Sequence, residues 1–241
     1  MLSDVLENLT VLAIASTLIY ASYKDLVSRE IPELSWAPAY LIVLTSLVVR
    51  YLSGVSLISA AIALTPPLIY GALFALGMIG GADFLAVLLV SLGHINEPLV
   101  PLLVFVASSI APLPIVLVNL VRNLTIDRKA MASVTCIKGS KKMLYFVGRL
   151  TTVANFLKMK FAFLHTYPEE EGFVCVNSVN VNVDFEEQKR SLENAVSRGL
   201  IKPGDHVICS PALPHVVFIA VSYAVALLLA QYLRDFFAYL S

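Results

Sequence analysis

The chain has 241 residues, of which 58% are hydrophobic and 14% are charged, and its mean hydropathy is +0.81. A soluble globular domain is nearer half apolar and a quarter charged, so this composition excludes an ordinary soluble protein and favours a membrane protein. Seventeen Lys and Arg balance seventeen Asp and Glu, which gives a formal net charge of zero. The balance hides an asymmetry, because nine Lys or Arg and only one acid lie between Arg122 and His165.

Long apolar stretches dominate most of the chain. A helix needs about 20 apolar residues to cross the roughly 30 Å hydrocarbon layer of a membrane. Hydropathy on that scale predicts six transmembrane helices, at about Val5–Tyr23, Trp36–Leu52, Ser56–Ile79, Asp83–Ile95, Leu99–Val121 and His215–Phe237. The fourth is the weakest prediction, since 13 residues reach only about 20 Å as a helix. The prolines inside the third and fifth spans are compatible with transmembrane helices, because neighbouring groups in a membrane bundle satisfy the freed carbonyls.

About 90 residues of different character lie between the fifth and sixth spans. Gly172–Phe185 alternates apolar and polar residues, which is typical of a half-buried strand. Asp184–Ile201 starts with Asp and Glu and has a glycine near its end, which predicts a helix, and the following KPGDHVICS predicts a turn and a strand. The predicted fold is an all-α polytopic membrane protein with a small α+β domain inserted before its last helix. Its parts are residues 1–121 with transmembrane helices 1–5, the inserted domain at 122–213, and transmembrane helix 6 at 214–241.

The cysteine and histidine patterns give no sign of a metal centre. Cys136, Cys175 and Cys209 are far apart and form no CxxC pair. Zinc sites and disulfide frameworks are recognised by closer or paired spacing, so we expect ordinary free thiols. His94 and Glu97 form an HxxE pattern, but two ligands do not make a metal site. We therefore expect no metal and no cofactor.

Basic residues predict how the chain lies in the membrane. Lys24 and Arg29 follow the first span, and the basic stretch from Arg122 to Lys160 follows the fifth. Loops rich in Lys and Arg face the cytoplasm, so both regions should be cytoplasmic, although Arg50 mildly disagrees. The basic stretch is suited to anionic lipid headgroups. We do not expect nucleic acid as a partner, because later acids of the inserted domain nearly balance the basic residues.

Two carboxylates are placed at the same predicted depth. Asp25 lies near the cytoplasmic end of the first span, and Asp83 begins the fourth span on the same side. Ionisable groups inside membranes are costly, face the bundle interior and are candidates for function. Two facing acids are what aspartic proteolysis requires, because close carboxylates share one proton and can act as base and acid. Gly80 and Gly81 would let neighbouring helices and an extended substrate approach Asp83.

Each acid also has a simpler explanation. Asp25 could be an interfacial acid beside Lys24 and Arg29, and Asp83 could cap the N-terminus of the fourth span. A proton-coupled transporter is the alternative function, since it also places carboxylates inside a helix bundle. Such transporters usually show inverted repeats and helices broken at mid-membrane. We find no such repeat in the sequence and expect both acids near one membrane surface, so we favour a protease.

The residues around both acids carry a family resemblance. Gly80, Gly81, Ala82 and Asp83 form GGAD, which resembles the GxGD signature of intramembrane aspartyl proteases, the group of type IV prepilin peptidases, archaeal preflagellin peptidases and presenilins. Ala82 departs from the second glycine of that signature. Asp25 stands seven residues before Pro32, which is similar to the spacing around the first catalytic Asp of prepilin peptidases.

A second resemblance opens the last span. The sequence PALP, residues Pro211, Ala212, Leu213 and Pro214, resembles the PAL motif of presenilins and the proline-rich start of the final helix in preflagellin peptidases. In that family the segment lies beside the catalytic pair and helps to align substrate. The same residues could instead be a pair of prolines that starts a helix.

Taken over the whole chain, the sequence looks like the archaeal prepilin and preflagellin peptidase family. The resemblance implies that Asp25 and Asp83 are catalytic, that Gly80, Gly81 and Ala82 form the active-site motif, and that residues 211–214 align substrate. It implies an aspartic-type endopeptidase that removes short, positively charged class III signal peptides from preflagellins and type IV pilin-like precursors at the cytoplasmic edge of the cell membrane. The cysteine-rich motif of the bacterial branch is not found, so methyl transfer is not expected. Glu30 and Glu33 could attract the basic signal peptide.

Overall fold

A computed structural model of the chain describes residues 2–52, 54–134, 136, 144–169, 172–176 and 184–240. This part of the chain is mostly helical and forms two compact units, Met1–Ala111 with Pro214–Ser241 and Pro112–Leu213. The sequence suggested that the inserted domain starts at residue 122, whereas the second unit of the structure starts at Pro112. The division into a membrane domain and a cytoplasmic domain stays a prediction.

Apolar helices make up the first unit. They are α1 (Leu2–Val27), α2 (Ala37–Leu52), α3 (Leu57–Ala75), α4 (Gly81–Gly93) and α5 (Leu99–Ile110), followed after the second unit by the last helix, α11 (His215–Leu240). A single 3₁₀ turn, Glu33–Trp36, precedes α2. Many leucine and isoleucine side chains on α1, α2, α3 and α11 are exposed, as expected for helices that face lipid.

Helix length and hydropathy test the six predicted spans. Among the described residues, five helical stretches are long and apolar enough to cross a membrane: Asp4–Val27, Glu33–Leu52, Leu57–Ala75, Leu99–Thr125 and His215–Tyr232. Helix α4 is apolar but has only 13 residues, so the fourth predicted span, Asp83–Ile95, stays a prediction. The fifth predicted span, Leu99–Val121, is found as the apolar helical stretch Leu99–Thr125. It is divided into α5 and a separate helix, α6 (Leu113–Thr125), because Pro112 and Pro114 have no N–H to continue the hydrogen-bond ladder.

Helix α4 lies at the centre of the first unit and packs against α1, α2, α3, α5 and α11. Its buried side chains meet those of α1 and α11 in one hydrophobic core, which includes Ile14, Leu18, Leu89, Val90, Ile219 and Tyr223. Gly93 ends α4 against α1, where a Cβ atom would collide with the side chain of Ile14. The close approach of α1 and α4 therefore depends on a glycine at this position.

Several polar side chains inside this apolar unit are paired with one another or with backbone carbonyls, whereas the buried hydroxyls of Ser46 and Ser91 have no hydrogen-bond partner among the described residues. The hydroxyl of Tyr40 donates to the carbonyl of Leu85 at 2.8 Å, and Arg50 donates to the carbonyl of Gly93 at 2.9 Å. The Nε2 atom of His94 lies 2.9 Å from the hydroxyl of Tyr223. Such pairing is required where water is excluded, because an unsatisfied polar group in an apolar medium is costly.

The second unit contains short helices and two small sheets. After α6 come α7 (Arg128–Ser133), α8 (Leu144–Val147), β1 (Arg149–Thr152), α9 (Val153–Lys158), β2 (Ala162–Leu164), β3 (Thr166–Glu169), β4 (Gly172–Cys175), α10 (Phe185–Ser197) and β5 (His206–Pro211). Strand β5 is the middle of a three-stranded antiparallel sheet between β1 and β2, and β3 pairs with β4.

The predicted elements of the inserted region can be compared with these bounds. The helix predicted at Asp184–Ile201 is present as α10, where Asp184 caps the first turn by accepting the N–H of Glu186 at 2.8 Å. The strand predicted at Gly172–Phe185 is present as β4 over its first four residues, and residues 177–183 lie outside the described part of the chain. The strand predicted after the KPGD turn is β5.

The expectation of three free thiols is wrong. Cys136 and Cys175 form a disulfide across 39 positions of sequence, in a cluster with Met131, Leu150 and Ile208. Spacing could not reveal this pair, because the fold of the second unit brings β4 and the segment after α7 together. Cys209 remains a free thiol on β5, where burial raises its pKa to about 11. It is therefore protonated and unreactive at neutral pH.

Replacing Cys136 or Cys175 by serine should destabilise the protein. Closing a loop of this length removes unfolded-state entropy worth about 2–4 kcal/mol in the chain-entropy model. Thermal unfolding in detergent, with and without a reductant, measures the effect. The reductant should lower the melting temperature of the wild-type protein and of the control Cys209→Ala, but not that of Cys136→Ser. Three titratable thiols instead of one in the denatured, non-reduced protein would contradict the disulfide.

Candidate active site

Asp25 lies in the last turn of α1, in contact with the first turn of α11. Its Oδ2 atom accepts the backbone N–H of Val216 at 3.2 Å. One turn earlier on α1, the hydroxyl of Ser22 donates to the carbonyl of Val216 at 3.4 Å. The N–H groups of a first helical turn have no partner within their own helix, and the positive end of the helix dipole favours a carboxylate there. Asp25 therefore supplies a hydrogen-bond acceptor and a negative charge to the start of α11.

Arg29 provides Asp25 with a basic partner. Its Nη1 atom lies 3.2 Å from Oδ1 of Asp25, and only 15% and 12% of the two side chains are exposed. The backbone N–H groups of Ser28 and Arg29 both point to the carbonyl of Lys24, which ends the helix. Arg29 has φ of +60°, a left-handed conformation that L-residues other than glycine rarely adopt. This conformation occurs at the residue that pairs with Asp25.

Asp83 is the third residue of α4 and turns back to the start of its own helix. Its Oδ2 atom accepts the N–H of Gly80 at 3.2 Å, so the capping role considered for this carboxylate is present in the structure. Its other oxygen, Oδ1, lies 3.4 Å from Nδ1 of His215. The side chain of Asp83 is 15% exposed and that of His215 is 24% exposed.

The start of α11 brings both acids into one polar cluster. His215 lies beside Asp83, and the next residue, Val216, donates to Asp25. One carboxylate oxygen of each acid accepts a backbone N–H, from Val216 for Asp25 and from Gly80 for Asp83. The other oxygen faces a basic side chain, Arg29 for Asp25 and His215 for Asp83. Such a cluster has the composition of an acid–base site, because it combines two carboxylates, one permanent cation and one imidazole.

The other residues named from the sequence lie on both sides of this cluster. Gly80 precedes α4 and donates to Asp83, Gly81 begins α4, and Ala82 packs against the apolar core. A Cβ atom on Gly81 would lie 3.4 Å from the ring of Phe74, so only a little space is available there. Glu30 and Glu33 are exposed in the segment between α1 and α2.

The four residues of PALP are divided between the two units. Pro211 ends β5, and the N–H of Ala212 points to the carbonyl of Phe161 at 3.3 Å. Leu213 is the last residue of the second unit. Pro214 directly precedes α11, and its carbonyl accepts the N–H of Val217 at 3.1 Å. Pro214 thus starts a helix, and a role of the four residues in substrate alignment stays a prediction.

Sequence reasoning missed His215 and Val216. The contact of Val216 is made by its backbone, which leaves no sign in the sequence. His215 could have been noticed, because it is one of four histidines in the chain and directly follows PALP at the start of an apolar helix. Among the described residues, no group of three or more His, Cys, Asp or Glu side chains is arranged to hold a metal ion.

A comparison with known protein families finds one match. Residues 140–231 match the model described as archaeal peptidase A24 C-terminus, type II. This match, over less than half of the chain, supports the archaeal prepilin and preflagellin peptidase family. No curated protein sequence matches the chain significantly. The matched segment includes His215 and Val216, whereas Asp25 and Asp83 lie outside it.

The two acids should differ in what they contribute to stability. Asp25→Asn leaves the guanidinium of Arg29 without its carboxylate, so this variant should lose about 1–2 kcal/mol, less than for a fully buried pair. Asp83→Asn can still accept the N–H of Gly80 and should lose less. Adding Arg29→Gln to Asp25→Asn should restore part of the loss. Thermal unfolding of these three variants and the wild-type protein in the same detergent checks this, and equal melting temperatures for Asp25→Asn and Asp83→Asn would contradict it.

Proposed function

We propose that this protein is an aspartic endopeptidase of the cell membrane, with Asp25 and Asp83 as its catalytic pair. The observation that carries the proposal is the contact of both carboxylates with consecutive residues at the start of α11. The match to a peptidase family supports proteolysis, and the helices long and apolar enough to span a membrane support a multi-pass protein. The aspartic mechanism is our proposal.

In the proposed reaction the two carboxyl groups share one proton. The ionised group removes a proton from a water molecule while the water oxygen attacks the carbonyl carbon of the peptide. The protonated group gives its proton to the carbonyl oxygen, and a tetrahedral diol forms. The proton taken from water is then transferred to the amide nitrogen and the C–N bond breaks, while one hydroxyl of the diol returns its proton to the carboxylate that had donated it. The second product is a carboxylic acid, and the pair again holds one shared proton. Two acids suffice for this sequence of proton transfers.

The proposed substrates are preflagellins and type IV pilin-like precursors, whose class III signal peptides are short and positively charged. The exposed Glu30 and Glu33 follow Asp25 in the chain, so their charge favours the approach of a basic peptide. The proposed cleavage takes place at the cytoplasmic face, because Lys24, Arg29 and the basic stretch of residues 122–160 follow the positive-inside rule. We propose that residues 211–214 help to align the extended substrate.

Asparagine variants test the catalytic pair. Asp25→Asn and Asp83→Asn should each lower the rate of cleavage of a preflagellin by at least about a thousandfold, and the double variant should be no worse. The reason is that one amide removes either the base or the shared proton. The assay follows the shortening of a purified precursor by the detergent-solubilised enzyme, with rates normalised to folded protein.

Glu97→Gln is the matched control. Glu97 is also an acid of the first unit, but it follows the opposite end of α4 and pairs with His94 at 3.8 Å. This variant should cleave at the wild-type rate. A folded Asp25→Asn or Asp83→Asn protein that still cuts at near-wild-type rate would exclude the two-aspartate mechanism. A wild-type protein that leaves the precursor uncut would exclude the proposed substrate and favour the transporter considered from the sequence.

A further inference from the structure

We propose that His215 is a positioning residue that holds Asp83 and exchanges a proton with it, so that Asp83 is the acid and Asp25 the base of the pair. This inference rests on the proposed function, and nothing in the family match assigns a role to His215. The exchange is a simple transfer, in which the proton on Nδ1 of an imidazolium moves to Oδ1 of Asp83. It leaves a neutral imidazole and a protonated carboxyl group, and the total charge of the cluster is unchanged.

The geometry of His215 fits this role. Its Nδ1 atom is buried, lies 3.4 Å from Oδ1 of Asp83, and makes no hydrogen bond within the described part of the chain. The carboxylate is therefore the group to which this nitrogen is available. A contact of this length needs only a small movement to become a hydrogen bond, and catalytic hydrogen bonds often shorten only when substrate binds.

Aromatic neighbours fix the ring of His215. The ring centre of Tyr70 on α3 lies 5.9 Å away at an interplanar angle of 30°, and that of Phe218 lies 6.3 Å away at 80°. Tyr70 is itself held by Ser108 at 3.4 Å and by an edge contact with Phe105. Since the ring cannot turn freely between these neighbours, Nδ1 stays directed at Asp83.

The surroundings of the two acids differ in one decisive respect. Asp25 faces Arg29, whose guanidinium is always charged, whereas Asp83 faces a side chain that can be charged or neutral. The titratable groups beside the ring of His215 are Asp83 on α4 and Tyr70 on α3. Asp25 on α1, with its partner Arg29, contacts Val216, the next residue of α11. A permanent cation favours an ionised carboxylate, which is the form a base needs. A titratable partner allows the other carboxyl group to gain the proton that an acid needs.

His215→Asn separates this role from a purely structural one. The amide nitrogen of asparagine can take the place of Nδ1 and donate to Asp83, but it cannot give up a proton. We expect kcat to fall about 100-fold or more, as for the loss of a proton-transfer group, while KM changes by less than about threefold. The pH profile of kcat should also change, because asparagine has no ionisable group. His206→Asn, at an exposed position of β5, should leave both parameters unchanged.

A second measurement does not depend on activity. The imidazole ¹⁵N signals of the four histidines report which ring nitrogen carries a proton, and the signal of His215 is identified by its loss in His215→Asn. This signal should change in Asp83→Asn and stay the same in Glu97→Gln, which should instead affect His94. Wild-type kcat with an unaltered pH profile in His215→Asn would overturn the proton exchange, and a His215 signal insensitive to Asp83→Asn would overturn the contact itself. Failure of the wild-type enzyme to cut a precursor would overturn the proposed function, while the NMR result would still decide the His215–Asp83 pairing.

Discussion

The first turn of α11 is the feature on which the polar end of the first unit depends. Its residues His215 and Val216 contact acids from two other helices, Asp83 on α4 and Asp25 on α1. The hydroxyl of Ser22 on α1 also donates to the carbonyl of Val216. Unpaired N–H groups and the positive end of the helix dipole attract negative charge to this point. The like charges of Asp25 and Asp83 would otherwise oppose their approach. The start of α11 therefore fixes the positions of the C-terminal end of α1 and the N-terminal end of α4.

This constraint explains why α4 is short. Its N-terminus must lie beside the start of α11, where Asp83 can accept the N–H of Gly80 and approach His215. Its other end is set by Gly93, which permits contact with α1. Between these points the helix is surrounded by five others, so its length need not match the thickness of a bilayer. A carboxylate at the N-terminus of such a helix both caps it and remains available for chemistry.

Hydropathy predicted the apolar helices well, because their side chains must be apolar wherever they meet lipid or the core. Predicted ends differ by a few residues, as for α1, where Val5–Tyr23 became Leu2–Val27. The motifs around Asp25 and Asp83 mark residues that both contact the start of α11, and their catalytic role stays a prediction. Their partners could not be predicted, since the bond between Asp25 and Val216 joins positions 191 apart and uses a backbone donor. The division between α5 and α6 at Pro112 could not be predicted, because proline is tolerated inside membrane helices. The Cys136–Cys175 pair could not be predicted, because it depends on how the second unit folds.

The disulfide bears on the side of the membrane at which the second unit lies. Cytoplasmic disulfides are rare outside hyperthermophiles, because reductants keep thiols reduced there, whereas the basic residues of this unit favour a cytoplasmic location. The two observations are compatible if the bond is protected. Cys175 is buried in the cluster formed with Met131, Leu150 and Ile208, and Cys136 is partly buried beside it, so the access of a reducing thiolate to the bond is restricted. When the bond is protected in this way, the cluster and the disulfide stabilise each other. The disulfide is then compatible with the cytoplasmic location that the positive-inside rule predicts for the second unit.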